Sequence, residues 1–200
     1  MKRWIWVLVG IVVIAVVVGI LVYPKKTKEP EVIKIGAILV LTGPDAKAGQ
    51  SAREGIELAV NEINSAGGIK GNLLEIVYED DAGDPAKAVS AAKKLIDIDK
   101  VPAVIGPMWS SSVLAVAPIA EKKKVVILSP TASAPSITKA GDYIFRNTYS
   151  DVFEGTKDAE FAYKKLGYKQ AAVIHINICL LYTSDAADEG LGVDLGGRRI

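Results

Sequence analysis

From Val32 to Ile178, short apolar runs alternate with longer stretches whose apolar residues recur three or four positions apart. Runs of the first kind suit strands, and the second spacing gathers apolar side chains on one helical face. Val32–Leu41 (VIKIGAILVL) is a β-rich run that stops at the turn residues Thr42, Gly43 and Pro44. Ser51, with Glu54 three residues on, has the form of a capping box. Ala52, Ile56, Ala59, Ile63 and Ala66 then share one helical face, and Gly67 and Gly68 end the helix. Leu73–Tyr78 reads as a second strand. Asp84 can cap the next helix, with Pro85 at its first position and Val89, Ala92 and Ile96 along its face. Val101–Ile105 is a third strand, followed by Gly106-Pro107. A helix from about Ser112 to Lys122 contains Pro118, which must kink it or shift its start. Val125–Leu128 and Tyr143–Phe145 complete a set of strands, Phe153–Leu166 is helical, and Ala171–Asn177 is a last strand.

Strands separated by helices imply crossover connections and a largely parallel sheet. The expected fold class is α/β, with a doubly wound parallel sheet. The short, continuously apolar strands AVIG and VVIL are those of a sheet covered on both faces.

Upstream, Trp4–Tyr23 is an uncharged run preceded by Lys2 and Arg3. As a helix it spans roughly 30 Å, the thickness of a bilayer's hydrocarbon core. A cleaved signal peptide is the rival, but the run ends Leu21-Val22-Tyr23-Pro24 with no small-residue cleavage site. Residues 1–23 are therefore expected to be an N-terminal anchor or a signal sequence. Either function places the remainder outside the cytoplasm, at the cell surface or in the periplasm. Residues 24–31 (PKKTKEPE) form a polar, proline-punctuated linker.

The far end shows neither period. Cys179–Glu189 (CLLYTSDAADE) and Gly192–Ile200 (GVDLGGRRI) resemble, in frame and in order, the two constant arms of a transposon-based sequencing adapter. Residues 179–200 are expected to be a translated adapter and no part of the fold. The one cysteine falls there, so no disulfide framework can be counted.

Charge adds an exclusion. The 24 basic and 23 acidic residues nearly cancel, which offers no electrostatic footprint for nucleic acid. There is no G-x-S-x-G elbow, P-loop or G-x-G-x-x-G. His175 is the only histidine and falls inside an expected strand, so neither a hydrolase triad nor a histidine metal site is supported. The acidic stretch Glu79–Asp84 lacks the alternating ligands and closing glutamate of a calcium loop, and reads as a solvated loop ending in a helix cap. No cofactor and no metal are expected, and no enzymatic activity.

Candidate chemistry lies where a doubly wound sheet binds ligands, beyond the carboxyl ends of its strands. The loop after the third strand carries Ser110, Ser111 and Ser112 at the start of a helix. Hydroxyls beside free N–H groups and a positive dipole end make an anion seat. The loop after the fourth, Ser129–Ser133 (SPTAS), adds hydroxyls and the Thr131 carbonyl. Together they can hold a carboxylate through several donors and an ammonium through a carbonyl. Any one serine here has a plainer alternative as an N-cap. Trp109 is either a wall facing the ligand or a surface residue.

Taken in order, these landmarks resemble the first part of the type I periplasmic solute-binding proteins, the branched-chain amino-acid-binding (leucine-binding) family of ABC transporters. The residues that carry the resemblance begin with Ile35-Gly36, Leu41-Thr42-Gly43-Pro44 and Gly49. Ala66–Gly71 (AGGIKG), Asp80-Asp81, Asp84-Pro85 and Ile105-Gly106-Pro107 follow. Ser110–Ser112, Ala117–Glu121 (APIAE), Ser129-Pro130, Arg146, Ser150-Asp151 and Gly155 complete it. The resemblance implies two α/β lobes closing on a small-molecule ligand that passes to an ABC-transporter permease. Residues 32–150 would be the first lobe and 151–178 the start of a truncated second. It also implies that Ser110 and Ser133 hold the ligand carboxylate while the Thr131 carbonyl takes its ammonium. Ala48 falls where some members carry an aromatic residue. Capture of an amino acid, branched-chain or a similar small zwitterion, is the implied function. The alternative is the ligand-binding sensor domain of a membrane receptor.

Overall fold

The computed structural model describes Trp4 and residues 31–172. The chain divides between Glu31 and Val32 into two units, and the architecture below belongs to the second. Five strands, β1 (Val32–Leu39), β2 (Leu73–Asp80), β3 (Ala103–Ile105), β4 (Val126–Ser129) and β5 (Ile144–Arg146), form one sheet in the order β2-β1-β3-β4-β5. Every pairing is parallel. The helices between and after them are α1 (Ala46–Ser65), α2 (Pro85–Lys93), α3 (Ser110–Lys123) and α4 (Asp151–Lys164). A π-helical turn, Lys94–Ile98, extends α2, and a 3₁₀ turn, Pro135–Lys139, precedes β5. Order reverses at β1: the chain steps outward to β2, then returns past β1 to β3. This is the switch point that a doubly wound α/β sheet requires.

The capping residues explain several boundaries. Asp84 Oδ1 accepts from the N–H groups of Ala86 (2.8 Å) and Lys87 (2.9 Å), with Pro85 at the first position of α2, as expected. At the end of α1, Gly67 N–H bonds Asn64 O (3.0 Å) and Gly68 N–H bonds Ile63 O (2.9 Å), closing the last turn. The Asn64 side chain then donates to Leu74 O (2.9 Å) and accepts from Leu74 N–H (2.8 Å). It thereby satisfies two backbone groups on the edge strand β2.

Three boundaries differ from expectation. Helix α1 begins at Ala46, so Ser51 and Glu54 lie inside it and form no capping box. The turn at Gly43–Asp45 already starts the helix, with Ala46 N–H bonded to Gly43 O (3.2 Å). Ser51 therefore has no orphan donor to satisfy. Helix α3 starts at Ser110 and runs through Pro118. Proline deletes one helical hydrogen bond, and the burial of Val113, Val116, Ala117 and Ala120 along the same helix offsets that loss. Finally, Ala171 and Ala172 belong to no strand, and the rest of the expected strand to Asn177, with His175, lies outside the described residues. So do the 179–200 stretch, the linker as far as Pro30, and the apolar run Trp4–Tyr23 apart from Trp4. Among the described residues no helix is long and apolar enough to cross a membrane.

Cover on the two faces of the sheet is unequal. On one face α2 and α3 pack against Ile38, Val104, Ile127 and Ile144 in a continuous core. On the other, α1 lies over β1 and β2 and leaves an apolar gap of about 350 Å³ lined by residues such as Leu39, Ile56, Leu74 and Ile105. Beyond α1's reach, Leu128 and Phe145, register partners in β4 and β5, are 41% and 50% exposed. The expectation of cover on both faces thus holds fully for one face among the described residues.

Two glycines set close approaches at the sheet's carboxyl edge. A Cβ on Gly49 would lie 1.9 Å from Val40 O, so only glycine lets α1 cross the end of β1 this tightly. A Cβ on Gly106 would lie 2.0 Å from Ile38 O, and its φ of +93° turns the chain out of β3 toward the serine loop.

Candidate ligand-binding site

The loops after β3 and β4 meet at the carboxyl edge, held by side-chain to backbone hydrogen bonds. Ser129 Oγ, buried, donates to Pro107 O (2.6 Å) and accepts from Ala132 N–H (3.2 Å). Thr131 Oγ1 donates to Met108 O (2.7 Å). Ala134 N–H donates to Ser110 Oγ (3.2 Å). The two serine-bearing loops expected from the sequence are therefore brought together in space.

Ser110 is 2% exposed and accepts from a residue 24 positions away rather than from its own helix. No side chain caps α3, whose N-cap position is Trp109. The first-turn N–H groups, which lack intrahelical partners, remain available beside the Ser110 hydroxyl. A hydroxyl holds one donor and two acceptor sites, so Ser110 accepting from Ala134 keeps its proton to give. Ser133 and Ser111 are half-buried, and Thr131 is exposed. Trp109 is half-buried: its ring packs against the small core around Leu39 and Met108 and over Gly83, where a Cβ would meet Nε1 at 3.0 Å.

The acidic loop after β2 organises this edge from behind. Asp80 Oδ1 accepts from the N–H groups of Leu41 (2.8 Å), Thr42 (3.3 Å) and Ala82 (2.9 Å), and Oδ2 accepts from the Thr42 hydroxyl. Burial works against its ionisation, but these bonds together outweigh burial and lower its pKa below the ordinary range. Asp81 is the opposite case. It is fully buried, and burial, aided by the neighbouring Asp80 charge, raises its pKa against the lowering influence of Gly83 N–H and the Ser112 hydroxyl. Asp81 Oδ1 accepts from Gly83 N–H (3.0 Å), while Asp81 Oδ2 and the buried Ser112 Oγ make no hydrogen bond of good geometry. Among the described residues no group of three or more His, Cys, Asp or Glu is placed to hold a metal ion.

In the sequence Arg146 carries no site signal beyond its place in the family resemblance. It sits at the end of β5, where Nη1 donates to Ser133 O (3.0 Å) and Ala134 O (2.8 Å) and Nη2 donates to Thr138 Oγ1 (2.7 Å). Asp151 N–H, the first of α4, adds a bond to Ser133 O (3.1 Å). A polar residue at a strand's carboxyl end was the available signal, but its target lies 12 and 13 residues away and only the fold joins them.

A switch-point sheet with an uncapped helix start and two hydroxyl loops at its rim has the architecture of a solute-binding lobe. The profile of the family described as periplasmic binding protein matches residues 32–188, and the chain belongs to that family. The match runs past Ile178 into the stretch that resembles an adapter. The Leu/Ile/Val-binding protein of Escherichia coli K12 is 38% identical over 146 residues, covering 72% of this chain and 40% of that protein. The branched-chain amino-acid transporter substrate-binding protein LivJ of Streptococcus pneumoniae, solved with isoleucine, is 37% identical with a TM-score of 0.66, over 70% of this chain and 40% of that one. A solute-binding protein of an ABC transporter from R. palustris, solved with 4-hydroxybenzoate, is 28% identical with a TM-score of 0.74, over 84% of this chain and 45% of that one. The chain thus spans about two fifths of the length of the curated relatives it matches. These likenesses identify the fold as that of the type I periplasmic binding proteins, branched-chain amino-acid family.

Proposed function

We propose that the protein is the extracytoplasmic solute-binding component of an ABC transporter, capturing an amino acid, branched-chain or a similar small zwitterion, for delivery to a permease. It catalyses no reaction. Trp4–Tyr23 serves as a single membrane span or as an export signal, keeping the binding domain outside the cytoplasm. The observation that carries this reading is the Ala134–Ser110 hydrogen bond, which joins the β4 loop to the uncapped start of α3. Ser110 and Ser133, assisted by Ser111 and the first-turn N–H groups, take the carboxylate, and the Thr131 carbonyl takes the ammonium. Trp109 forms part of the wall. The names of the relatives, which bind leucine, isoleucine and valine, support the amino-acid class.

The test is calorimetry on the complete polypeptide with leucine, isoleucine, valine, threonine and 4-hydroxybenzoate. Saturable binding of at least one amino acid is expected. Binding of 4-hydroxybenzoate alone would keep the carboxylate seat and overturn the zwitterion, and no binding at all would sink the proposal.

A further inference from the structure

We propose that Arg146 is a positioning residue for ligand capture, holding the Ser133–Ala134 turn so that the Ser133 hydroxyl stands beside Ser110. This rests on the assignment of those two serines to the ligand carboxylate. The Ala134 peptide unit and its neighbour are held from three sides. Ala134 N–H is bonded to Ser110, Ala134 O to Arg146, and Ser133 O to both Arg146 and the Asp151 N–H. The third arm of the fork, to the Thr138 hydroxyl, fixes the plane of the guanidinium against the following 3₁₀ turn.

Arginine suits this task because its rigid, planar fork aims several donors at once, whereas a lysine ammonium is a flexible point charge. Among the described residues no carboxylate pairs with Arg146. Its bonds go to two carbonyls and a hydroxyl. The guanidinium contacts the backbone that presents Ser133, and it shapes the seat through that residue.

The experiment is a double-mutant cycle on the complete polypeptide, read by leucine calorimetry and by the melting temperature without ligand. Arg146→Gln is expected to weaken leucine binding about 10- to 100-fold, the range for hydrogen bonds to a charged group. Arg146→Lys is expected to fall between wild type and Arg146→Gln. In a Ser133→Ala background, the further loss from Arg146→Gln should shrink to about threefold or less, because the two substitutions disable the same element. Affinity within about twofold of wild type in Arg146→Gln, or fully additive losses in the cycle, overturns the inference while leaving the proposed function intact. If Arg146→Gln does not fold, the same cycle with Arg146→Lys decides, coupled losses supporting the inference and additive ones overturning it. If wild-type protein binds isoleucine, valine, threonine or 4-hydroxybenzoate but not leucine, the same cycle is read with that solute; if it binds none of the five, the carboxylate seat is removed and the inference falls with it.

Discussion

Ser110 and Ala134 meet across 24 residues of chain, the Ala134 N–H donating to the Ser110 hydroxyl at 3.2 Å. That bond converts two separate loops into one rim. It also spends an acceptor site of the hydroxyl and leaves the donor free, which is the polarity a carboxylate needs.

Ser110→Ala and Ser133→Ala are each expected to weaken amino-acid binding about 10- to 100-fold, the equivalent of a hydrogen bond to a charged group. Calorimetry on the complete protein measures this, and changes under about twofold at both positions would remove them from the site. The two variants should differ in stability. Ser110→Ala strands the Ala134 N–H in a buried setting and is expected to cost about 1–3 kcal/mol, read by chemical denaturation.

Asp81→Asn is expected to stabilise the protein at neutral pH. Burial raises the native pKa of Asp81, so the native state holds its proton more tightly than the unfolded chain does. The resulting stability is present below the unfolded carboxylate pKa and is lost as pH rises through the native value. Asparagine keeps the acceptor for Gly83 N–H and presents a donor toward Ser112 Oγ, which lacks a partner. A gain of about 1 kcal/mol is expected at pH 7, narrowing as pH falls toward 4. Melting curves across that range check it, and a gain that grows on acidification would contradict the assignment.

Gly49→Ala and Gly55→Ala lie six residues apart in one helix and should act in opposite directions. A methyl at position 49 collides with Val40 O at 1.9 Å, a backbone atom that cannot step aside, whereas at position 55 nothing lies within 4 Å. Gly49→Ala is expected to destabilise by several kcal/mol or prevent folding. Gly55→Ala should gain about 0.5–1 kcal/mol from helix propensity. Equal effects at the two sites would mean that α1 does not cross β1 as described.

Sequencing the locus through codon 178 by a method free of transposon adapters is expected to replace residues 179–200 with a different continuation. The same 22 residues recovered from an independent library would overturn that expectation. A continuation of α/β character followed by a stop codon fits the transport role, whereas a further apolar span followed by signalling helices fits the sensor.

Much of this architecture was legible along the chain. Continuous apolar runs, period-3.6 patterns, Asp84-Pro85 and Gly67-Gly68 are local signals, since caps and turns are satisfied by residues within a few positions of each other. The parallel α/β class follows from the same alternation, and Ser110 and Ser133 are legible because hydroxyls at strand ends can be counted in one dimension. The early start of α1 is not legible there, because the Ser51–Glu54 signature is equally compatible with a helix interior. What only tertiary structure decided is which of those groups still has a free hand. The Asp80 carboxylate is consumed by three backbone N–H groups and a hydroxyl, Ser110 accepts from Ala134, and Arg146 reaches back to Ser133. Hydrogen-bond partners a dozen or more residues apart are chosen by where strands and helices pack, and no local pattern records that distance.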